Sequence, residues 1–215
     1  MIKIEKTQVF GWEGAIRGMR NPMNSWDRSD SSFLPLYAPP AEYVPEIGPN
    51  DRELMMKLAK GGPVHAKYRR QIFISVDITA PLYWWKEFDT YKVGTTANSC
   101  STMHKIHAKE FTFDDFSCEH LNRFNRNLLG WVINNLNTSR TNYIKTKDKE
   151  EWLQMVQMLP SSYNQKRTVT MTYEVLVGMW RDRRNHKLAE WHVLCDWIES
   201  LPYSEIITLK EKTNG

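Results

Sequence analysis

The sequence contains only three cysteines, and they lie far apart. Cys100, Cys118 and Cys195 form neither the even-numbered framework of a disulfide-rich secreted domain nor the close pairs of a zinc site. Both of these classes are therefore excluded, and the cysteine usage predicts a reducing compartment, the cytosol. Long apolar runs are also missing, because neither the N-terminal stretch MIKIEKTQVFGW nor any later segment has the length of a signal peptide or a membrane helix. We therefore expect a cytoplasmic protein without a membrane partner.

An excess of charge of one sign is missing as well. The chain has 29 basic and 25 acidic residues, a formal charge of +4 and no polybasic block. A general nucleic-acid binder usually carries a basic stripe, so we expect no nucleic-acid partner. A small phosphate-bearing ligand needs only two or three local cations, and this class of ligand stays open.

The length and composition are those of a globular domain. The chain has 215 residues, of which 41% are hydrophobic and 25% charged, and its nine tryptophans are spread along the whole length. A chain of this size buries a full core. We therefore predict one domain, residues 1–215.

The segment from residue 71 to residue 107 is the most informative part of the chain. It begins with a period-two pattern that predicts a strand with one buried face, formed by Ile72, Ile74, Val76 and Ile78. After Ala80-Pro81 the spacing of apolar residues predicts a helix that ends at Gly94. TTANSCST, residues 95–102, follows as a predicted loop of small polar groups. Such a loop beside aromatic rings suits a planar polar ligand; the alternative is a core element followed by an ordinary polar turn.

Three elements are predicted before this segment. Residues 2–10 form a short strand, and residues 12–20 have the apolar spacing of a helix that a proline ends. Residues 21–50 are irregular and rich in proline, which is typical of a loop that covers a binding site. Asn50 is the predicted N-cap of a helix that Gly61 ends.

The second half of the chain is predicted to be mainly helical. Helices are expected from a cap at Ser117 to Leu136, from Asp148 to Pro160, over 174–180 and over 188–198, with a polar connection over 137–147. The junction RDRRNHK, residues 181–187, carries a cationic cluster that could meet a phosphate at the start of the following helix. A solvated junction is the alternative. Few strands and about six helices indicate the α+β class.

Three segments, taken in order, share the layout of one known enzyme family. GGPVHAKYRRQIFISVDITAP has a helix-ending glycine, then His65, then a strand that ends in Ala80-Pro81. KEFDTYKVGTTANSCSTM stands where the family has RQxxRHRxxSxNExSxRY, and RNHKLAEWHVL stands where it has RxxxxAQWEI, with Arg184 and Trp191 in register. The chain therefore resembles the flavin-dependent thymidylate synthases (ThyX-like proteins).

The resemblance implies a fold and a chemistry. The fold would be α+β, with a small antiparallel or mixed sheet and several packed helices, assembled as a homotetramer with sites between protomers. The protein would bind FAD and a pyrimidine deoxynucleotide such as dUMP. It would modify C5 of the base with a carbon unit from methylenetetrahydrofolate and reducing equivalents from NADPH.

The same resemblance assigns site residues by position. For the nucleotide they are Glu87, Lys92, Thr95, Asn98, Ser101, Arg184 and Glu190, with Arg184 on the phosphate. For the flavin they are Arg20, His65, Lys86, Thr90 and Tyr91; for His65 a surface loop histidine is the alternative. The expected catalytic residues are Cys100 and Tyr91, and no metal ligand is expected. A Cys100 thiolate, favoured by Lys92, His104 or a helix N-terminus, could add to C6 of a pyrimidine and activate C5; the alternative is a small residue in a tight loop.

The departures from the family pattern fall on ligand-binding positions. Thr90-Tyr91-Lys92 replaces Arg-His-Arg and lacks its planar bidentate donors. Glu87 and Glu190 stand at family glutamines and add carboxylates. An alternative function is therefore a nucleotide-binding or interaction module on the same fold, without flavin and without turnover. A structural α+β protein with coincidental matches is the third possibility.

Overall fold

The computed structural model describes residues 2–34 and 43–210. Within these ranges the elements follow in the order β1 (Lys3–Phe10), α1 (Trp12–Arg20), α2 (Pro49–Lys60), β2 (Phe73–Pro81), α3 (Leu82–Phe88), β3 (Thr95–Ser99), α4 (Thr102–Lys105), α5 (Arg123–Thr146), α6 (Lys149–Met158), β4 (Asn164–Thr172), α7 (Tyr173–Arg183), α8 (Ala189–Ser200) and α9 (Glu205–Thr208). Short 3-10 turns lie at Asn21–Met23, Trp26–Arg28, Lys67–Arg70 and Phe113–Asp115. The predicted α+β class is confirmed.

The strands form one antiparallel sheet of order β1-β2-β4-β3. The predicted face of β2 is confirmed, because its even-numbered residues from Ile74 to Ala80 are buried while the odd-numbered ones are more exposed. β2 and β4 are the central strands, and β1 and β3 form the edges. One face of β2 packs on the core and the other is more exposed, which explains its apolar alternation.

Two predictions around this sheet are wrong. Residues 95–99 form the edge strand β3 rather than a loop, and β4 was not predicted at all. The helix α3 ends at Phe88 and not at Gly94, because the Asp89 N–H bonds to Trp85 O and closes the last turn. Gly94 instead lies in the turn before β3 with a φ of 77°. Small polar residues form a strand here because a neighbouring strand pairs with their backbone, a contact that local sequence does not encode.

The chain divides into two compact units. The first comprises residues 2–3, 78–90 and 98–168 of the described chain, and the second comprises residues 4–34, 43–77, 91–97 and 169–210. The single domain over residues 1–215 stays a prediction. The first unit has a core of aromatic, aliphatic and thiol side chains, formed by Ile106, Phe111, Phe116, Cys118, Leu129, Ile133, Leu136 and Met155.

The second unit packs its helices around buried aromatic rings. Trp12 of α1 meets Tyr173 and Tyr203 edge to face, with both pairs of ring centroids 5.3 Å apart. Trp191 of α8 is fully buried. Edge-to-face rings of this kind add roughly 0.5–1.5 kcal/mol per pair beyond their burial. These contacts hold α1 against α7, and the ends of these two helices carry Arg20 and Arg184.

Two predicted helix starts are corrected by the structure. The N-cap of α2 is Gly48, and Asn50 lies inside the helix, where Asp30 accepts hydrogen bonds from the Asn50 and Asp51 N–H groups. The N-cap of α5 is Asn122 and not Ser117, whose backbone bonds instead to Ser162. For α2 a side chain that is distant in sequence satisfies the backbone donors, whereas for α5 the local Asn122 side chain accepts from the Asn125 N–H at 2.9 Å.

The helix α5 also runs through the connection predicted over 137–147. Its 24 residues reach Thr146, and threonine hydroxyls along it bond to carbonyls one turn earlier. These local bonds satisfy the threonine hydroxyls within the helix itself. The predicted Asp148 cap of α6 is confirmed, because its carboxylate accepts from the Glu150 N–H at 3.0 Å.

Part of the predicted loop over 21–50 lies outside the described residues, at 35–42, as does the charged tail at 211–215. In the described ranges no helix is long and apolar enough to cross a bilayer. The same ranges contain no cluster of side chains suited to hold a metal ion.

Candidate functional site

The turn between α7 and α8 in the second unit is held by specific local bonds. Thr172 begins α7 as its N-cap and accepts from the Val175 N–H at 3.4 Å. The helix ends at Arg183, with Arg184 as its C-cap. In the turn that follows, His186 Nδ1 accepts from the Leu188 N–H at 3.1 Å just before α8 begins. This bond closes the turn that carries the cationic junction.

Arg183 packs against two aromatic rings. Its Nε donates to the Tyr91 Oη at 2.9 Å, and its guanidinium carbon lies 5.5 Å from the Tyr91 ring centroid and 4.7 Å from that of Trp191. Tyr91 and Trp191 contact each other edge to face at 6.0 Å. A guanidinium against aromatic faces is attracted by the ring quadrupoles. The predicted catalytic Tyr91 is thus fixed by an arginine that the sequence analysis did not select, although Arg183 lies within the cationic junction.

Arg184, the predicted phosphate ligand, is exposed, and its guanidinium packs on an aromatic ring. Its guanidinium carbon lies 4.6 Å from the Trp180 ring centroid. Next to it is an open polar cavity of about 650 Å³, lined by Arg184, Asn185, His192, Cys195, Asp196, Glu199 and Lys210. Hydrogen bonds from Lys210 and Trp180 lower the pKa of Glu199, so this acid remains a carboxylate in the neutral range. The cavity therefore presents both charge signs, with Arg184 as a cation fixed by an aromatic ring.

Three further predicted nucleotide residues lie in the second unit. Glu190 is buried in the first turn of α8, where the helix dipole favours a negative charge. Lys92 is exposed before β3. Thr95 Oγ1 is buried and has no hydrogen-bond partner among the described residues. A buried hydroxyl without a partner is uncommon, and it is a group that a ligand or a water molecule would satisfy.

The first unit contains the predicted Cys100, Ser101 and Asn98. The backbone of Cys100 forms two hydrogen bonds: its N–H donates to Lys166 O at 2.9 Å, and its carbonyl accepts from Gln165 Nε2 at 3.0 Å. Its thiol is exposed. Ser101 Oγ caps α4 by accepting from the His104 N–H at 3.0 Å and contacts His104 Nδ1 at 2.9 Å. Asn98 is exposed on β3. A thiol and a Ser–His pair thus lie next to each other in the chain.

The end of α3 contains further predicted residues of the first unit. Lys86 is exposed, Glu87 is half-buried, and the Thr90 hydroxyl donates to Glu87 O at 2.7 Å. Asp89, which was not predicted, forms an ion pair with Arg167 of β4 at 2.7 Å.

Arg167 itself is a feature that the sequence analysis missed. It packs over the Trp85 ring at 4.2 Å and donates from Nε to Gln165 Oε1 at 3.0 Å. The alternation of Val169 and Met171 with threonines is the signal in the sequence that could have revealed the strand, whereas no pattern reveals the contacts of Arg167.

Arg20 and His65, both predicted to contact a flavin, lie in different surroundings. Arg20 is only 3% exposed, and its Nε donates to Asp51 Oδ1 at 2.6 Å. Burial alone would raise the pKa of Asp51, but hydrogen bonds from Ser31, Ser29 and Arg20 outweigh it and lower the pKa. Arg20 is thus bound to an internal carboxylate. His65 is exposed in the turn after α2.

The positions that match the family's Arg-His-Arg show whether this chain can hold a flavin in the same way. The Thr90 hydroxyl donates to Glu87 O in the last turn of α3, and the Tyr91 Oη accepts from Arg183 Nε. Lys92 offers a single exposed charge. None of the three presents a planar pair of N–H donors, and Arg20 is already engaged by Asp51. These residues therefore do not fit a flavin through the family's donor fork.

Solved structures of known function share this fold. Two are flavin-dependent thymidylate synthase ThyX from Helicobacter pylori with FAD and dUMP. One has a TM-score of 0.66 and 14% identity over 95% of this chain and 96% of that chain. The other has a TM-score of 0.67 and 14% identity over 96% of each. A UMP/dUMP methylase, PolB from Streptomyces cacaoi, bound with 5-Br dUMP, has a TM-score of 0.61 and 12% identity over 97% of this chain and 95% of that chain.

No family model matches the sequence, and no curated protein matches it either. The similarity is therefore one of three-dimensional structure, and it extends over nearly the full length of both chains. The order of three short segments had predicted the same relationship. The chain has the fold of the flavin-dependent thymidylate synthases.

Proposed function

We propose that the protein binds a pyrimidine deoxynucleotide such as dUMP and modifies C5 of its base, as a diverged member of the flavin-dependent thymidylate synthases. The observation that carries the proposal is the pair of arginines at the end of α7, held against the rings of Tyr91, Trp191 and Trp180. An exposed guanidinium fixed in this way binds a phosphate with little loss of side-chain freedom. Arg184 is the proposed phosphate ligand.

The remaining contacts to the nucleotide are assigned by the same proposal. Thr95 supports it, since its buried hydroxyl has no partner among the described residues. Lys92, Asn98 and Ser101 are polar and lie near the edge strand in sequence. Glu87 and Glu190 complete the proposed set.

Cys100 is the proposed nucleophile. In this step its sulfur forms a bond to C6 of the pyrimidine, the electron pair of the C5–C6 double bond moves towards C5 and the C4 carbonyl, and C5 becomes able to attack an electrophilic carbon. Elimination of the thiolate and loss of the C5 proton then restore the double bond. The proposed carbon donor is methylenetetrahydrofolate, whose methylene carbon is attacked by C5. A hydride supplied by NADPH then replaces the bond from that carbon to the folate nitrogen, which leaves a methyl group on C5 and releases tetrahydrofolate. The exposed thiol on a backbone held from both sides supports this role.

Replacement of Cys100 by serine tests the nucleophile. The variant keeps the size of the side chain but lacks the thiolate, so we expect nucleotide affinity within about twofold of wild type and turnover lowered at least about 100-fold. Cys195 differs from Cys100 in its surroundings, because burial raises the pKa of the Cys195 thiol to about 11. It therefore remains a protonated thiol at neutral pH and is a poor nucleophile. Turnover at the wild-type rate in the Cys100→Ser variant would exclude this mechanism.

A nucleotide-binding module without flavin and without turnover is the second candidate. The observation that favours it concerns the positions where the family binds its flavin. There the Thr90 hydroxyl is hydrogen-bonded to Glu87 O and the Tyr91 hydroxyl to Arg183 Nε. In this case the arginines would still hold a nucleotide. The assignments of Arg20, His65 and Lys86 to a flavin would then be wrong.

The experiment that separates the two candidates is a visible absorption spectrum of the purified protein with and without added FAD, followed by calorimetric titration with dUMP. Binding of both ligands supports the flavin-dependent enzyme. Binding of dUMP alone supports the module or a flavin-free enzyme, which a turnover assay then distinguishes. Binding of neither ligand overturns the proposed function. The homotetramer and the cytoplasmic location remain parts of the proposal, tested by sedimentation and by cell fractionation.

A further inference from the structure

The edge strand β3 ends at Ser99, and the next residue, Cys100, is still bonded to the neighbouring strand β4. Its N–H donates to Lys166 O at 2.9 Å, as in a strand ladder. Its carbonyl accepts from a side chain of the same strand, Nε2 of Gln165, at 3.0 Å. Both hydrogen-bonding groups of the Cys100 backbone are therefore fixed to β4. The exposed thiol keeps only the rotation about its own χ1 angle.

The bond from Gln165 requires one orientation of the side-chain amide. Gln165 is 8% exposed, and its Oε1 accepts from Arg167 Nε at 3.0 Å. A guanidinium can only donate hydrogen bonds, and a backbone carbonyl can only accept them. The oxygen of the amide must therefore face Arg167 and the nitrogen must face Cys100. The reversed amide would place donor against donor and acceptor against acceptor.

Arg167 is itself held in place. Gln165 and Arg167 are two positions apart on β4, so their side chains lie on the same face of the strand. The guanidinium lies 4.2 Å from the Trp85 ring centroid, and its NH1 donates to Asp89 Oδ1 at 2.7 Å. The same tryptophan donates from Nε1 to Gln165 O at 2.9 Å. Asp89, Arg167, Gln165 and the Cys100 carbonyl thus form one continuous chain of hydrogen bonds within the first unit.

The residue after Cys100 is fixed as well. Ser101 Oγ caps α4 by accepting from the His104 N–H at 3.0 Å. The peptide between Cys100 and Ser101 is planar, so the bond to the Cys100 carbonyl also sets the start of this cap. The direction in which the Cys100 side chain leaves the backbone is therefore determined from both ends.

We propose that Gln165 is a positioning residue for Cys100, which orients the thiol for attack on C6 of the pyrimidine, and that Arg167 acts through Gln165. The inference rests on the proposed function, because it needs Cys100 as the nucleophile. A nucleophile reacts fast when it is held in line with the atom it attacks, and a displacement of about 1 Å can cost on the order of 100-fold in rate.

The substitution Gln165→Glu tests this role. The carboxylate keeps the shape of the side chain and still accepts from Arg167, but it cannot donate to the Cys100 carbonyl. We expect kcat with dUMP to fall roughly 10–100-fold, while KM for dUMP stays within about twofold. Alkylation of Cys100 by iodoacetamide should also stay within about twofold, because a small reagent in solution does not need an oriented thiol. Unfolding of the segment, or a change in thiol ionisation, would alter the alkylation rate.

Two comparisons isolate the contact. Gln157→Glu makes the same chemical change at an exposed position of α6 in the same unit and should leave kcat unchanged. Gln165→Met should lower kcat, and the double variant Gln165→Met/Arg167→Met should lower it no further, because Arg167 acts through Gln165.

The outcomes separate this inference from the proposed function. If Cys100→Ser abolishes turnover and Gln165→Glu retains the wild-type kcat, Gln165 is not a positioning residue and the proposed function stands. Equal losses in kcat and in the alkylation rate of Gln165→Glu would also overturn the inference. A wild-type protein without turnover, or a fully active Cys100→Ser variant, would overturn the nucleophile and the inference together.

Discussion

Arg20 and Arg184 were both predicted to bind a ligand, and the structure gives them opposite surroundings. Arg20 is buried in α1, with its Nε 2.6 Å from an Asp51 oxygen. Arg184 is exposed at the end of α7, and its guanidinium rests on the Trp180 ring. A buried arginine already engaged by an internal carboxylate stabilises the fold. An exposed one held by an aromatic face retains donors for a ligand, so burial and partner, more than residue type, separate the two roles.

The largest expected effect is on stability, from Arg20→Ala. Removing the guanidinium leaves the Asp51 carboxylate buried without its ion partner, and such a change costs about 3–5 kcal/mol of the free energy of unfolding. Urea unfolding measures this. Arg17→Ala on the same helix is the control, because its contact with Glu13 is 3.9 Å long, exposed and worth at most about 0.5 kcal/mol. Equal effects of the two substitutions would contradict the distinction between buried and exposed arginines.

Arg184→Ala is expected to act on binding rather than on folding. Loss of a charge-assisted hydrogen bond to phosphate weakens nucleotide affinity by roughly 10–100-fold, while the free energy of unfolding changes by less than about 0.5 kcal/mol. Calorimetric titration with dUMP and urea unfolding measure the two quantities. Arg181→Ala, which removes an arginine paired with Asp182, is the matched control and should bind dUMP normally. A stability loss without a change in affinity would assign Arg184 to the fold.

The expected effect of an Arg183 substitution on stability lies between those of Arg20→Ala and Arg184→Ala. Arg183→Lys keeps the positive charge but loses the Nε bond to Tyr91 and the flat contact with the Trp191 ring. We expect a stability loss of about 1 kcal/mol. Tyr91→Phe removes only the acceptor of that bond and should cost less, and a double-mutant cycle of the two changes gives the coupling between them. A lysine variant as stable as wild type would show that the charge alone suffices.

The smallest expected effect is the acid dependence that Asp51 confers. Its pKa is lower in the folded protein than in the unfolded chain, so its contribution is complete at pH values above the unfolded pKa, about 4. The contribution is lost as the pH falls further, through the lowered folded pKa. Unfolding free energies at pH 6 and pH 2.5 should therefore differ more for wild type than for Asp51→Asn. An identical pH dependence in the two proteins would show that this carboxylate is not responsible.

The sequence predicted the elements whose signal is local. The alternation from Ile72 to Ile78 and the apolar spacing of α1, α6 and α8 were enough, because each pattern reports the face that an element buries. The ordered resemblance of three segments predicted the fold, which the structural comparison confirmed. The strand β3, which lacks such a pattern, and the strand β4, whose apolar alternation is confined to Val169 and Met171, were not predicted.

The helix α5 shows why an apolar pattern does not settle which face is covered. The apolar residues of its sequence, Phe124 and Leu128 along with Leu129, Ile133 and Leu136, fall at helical spacing and predict one wide apolar face. In the structure only the last three are buried, and the first two remain exposed. Periodicity places residues on a helix, but the neighbouring elements decide which side they cover.

The residues of the candidate site likewise fall into those that the sequence predicts and those that only the tertiary structure places. The sequence by itself determined the α+β class, the main helices, and the cationic junction that contains Arg183 and Arg184. Only the tertiary structure decided that Arg20 is bound to Asp51, that Tyr91 is held by Arg183, and that Thr95 keeps a buried hydroxyl without a described partner. The physical reason is range: helix and strand patterns arise from residues a few positions apart, whereas the partners of these side chains lie 31 and 92 positions away in the chain.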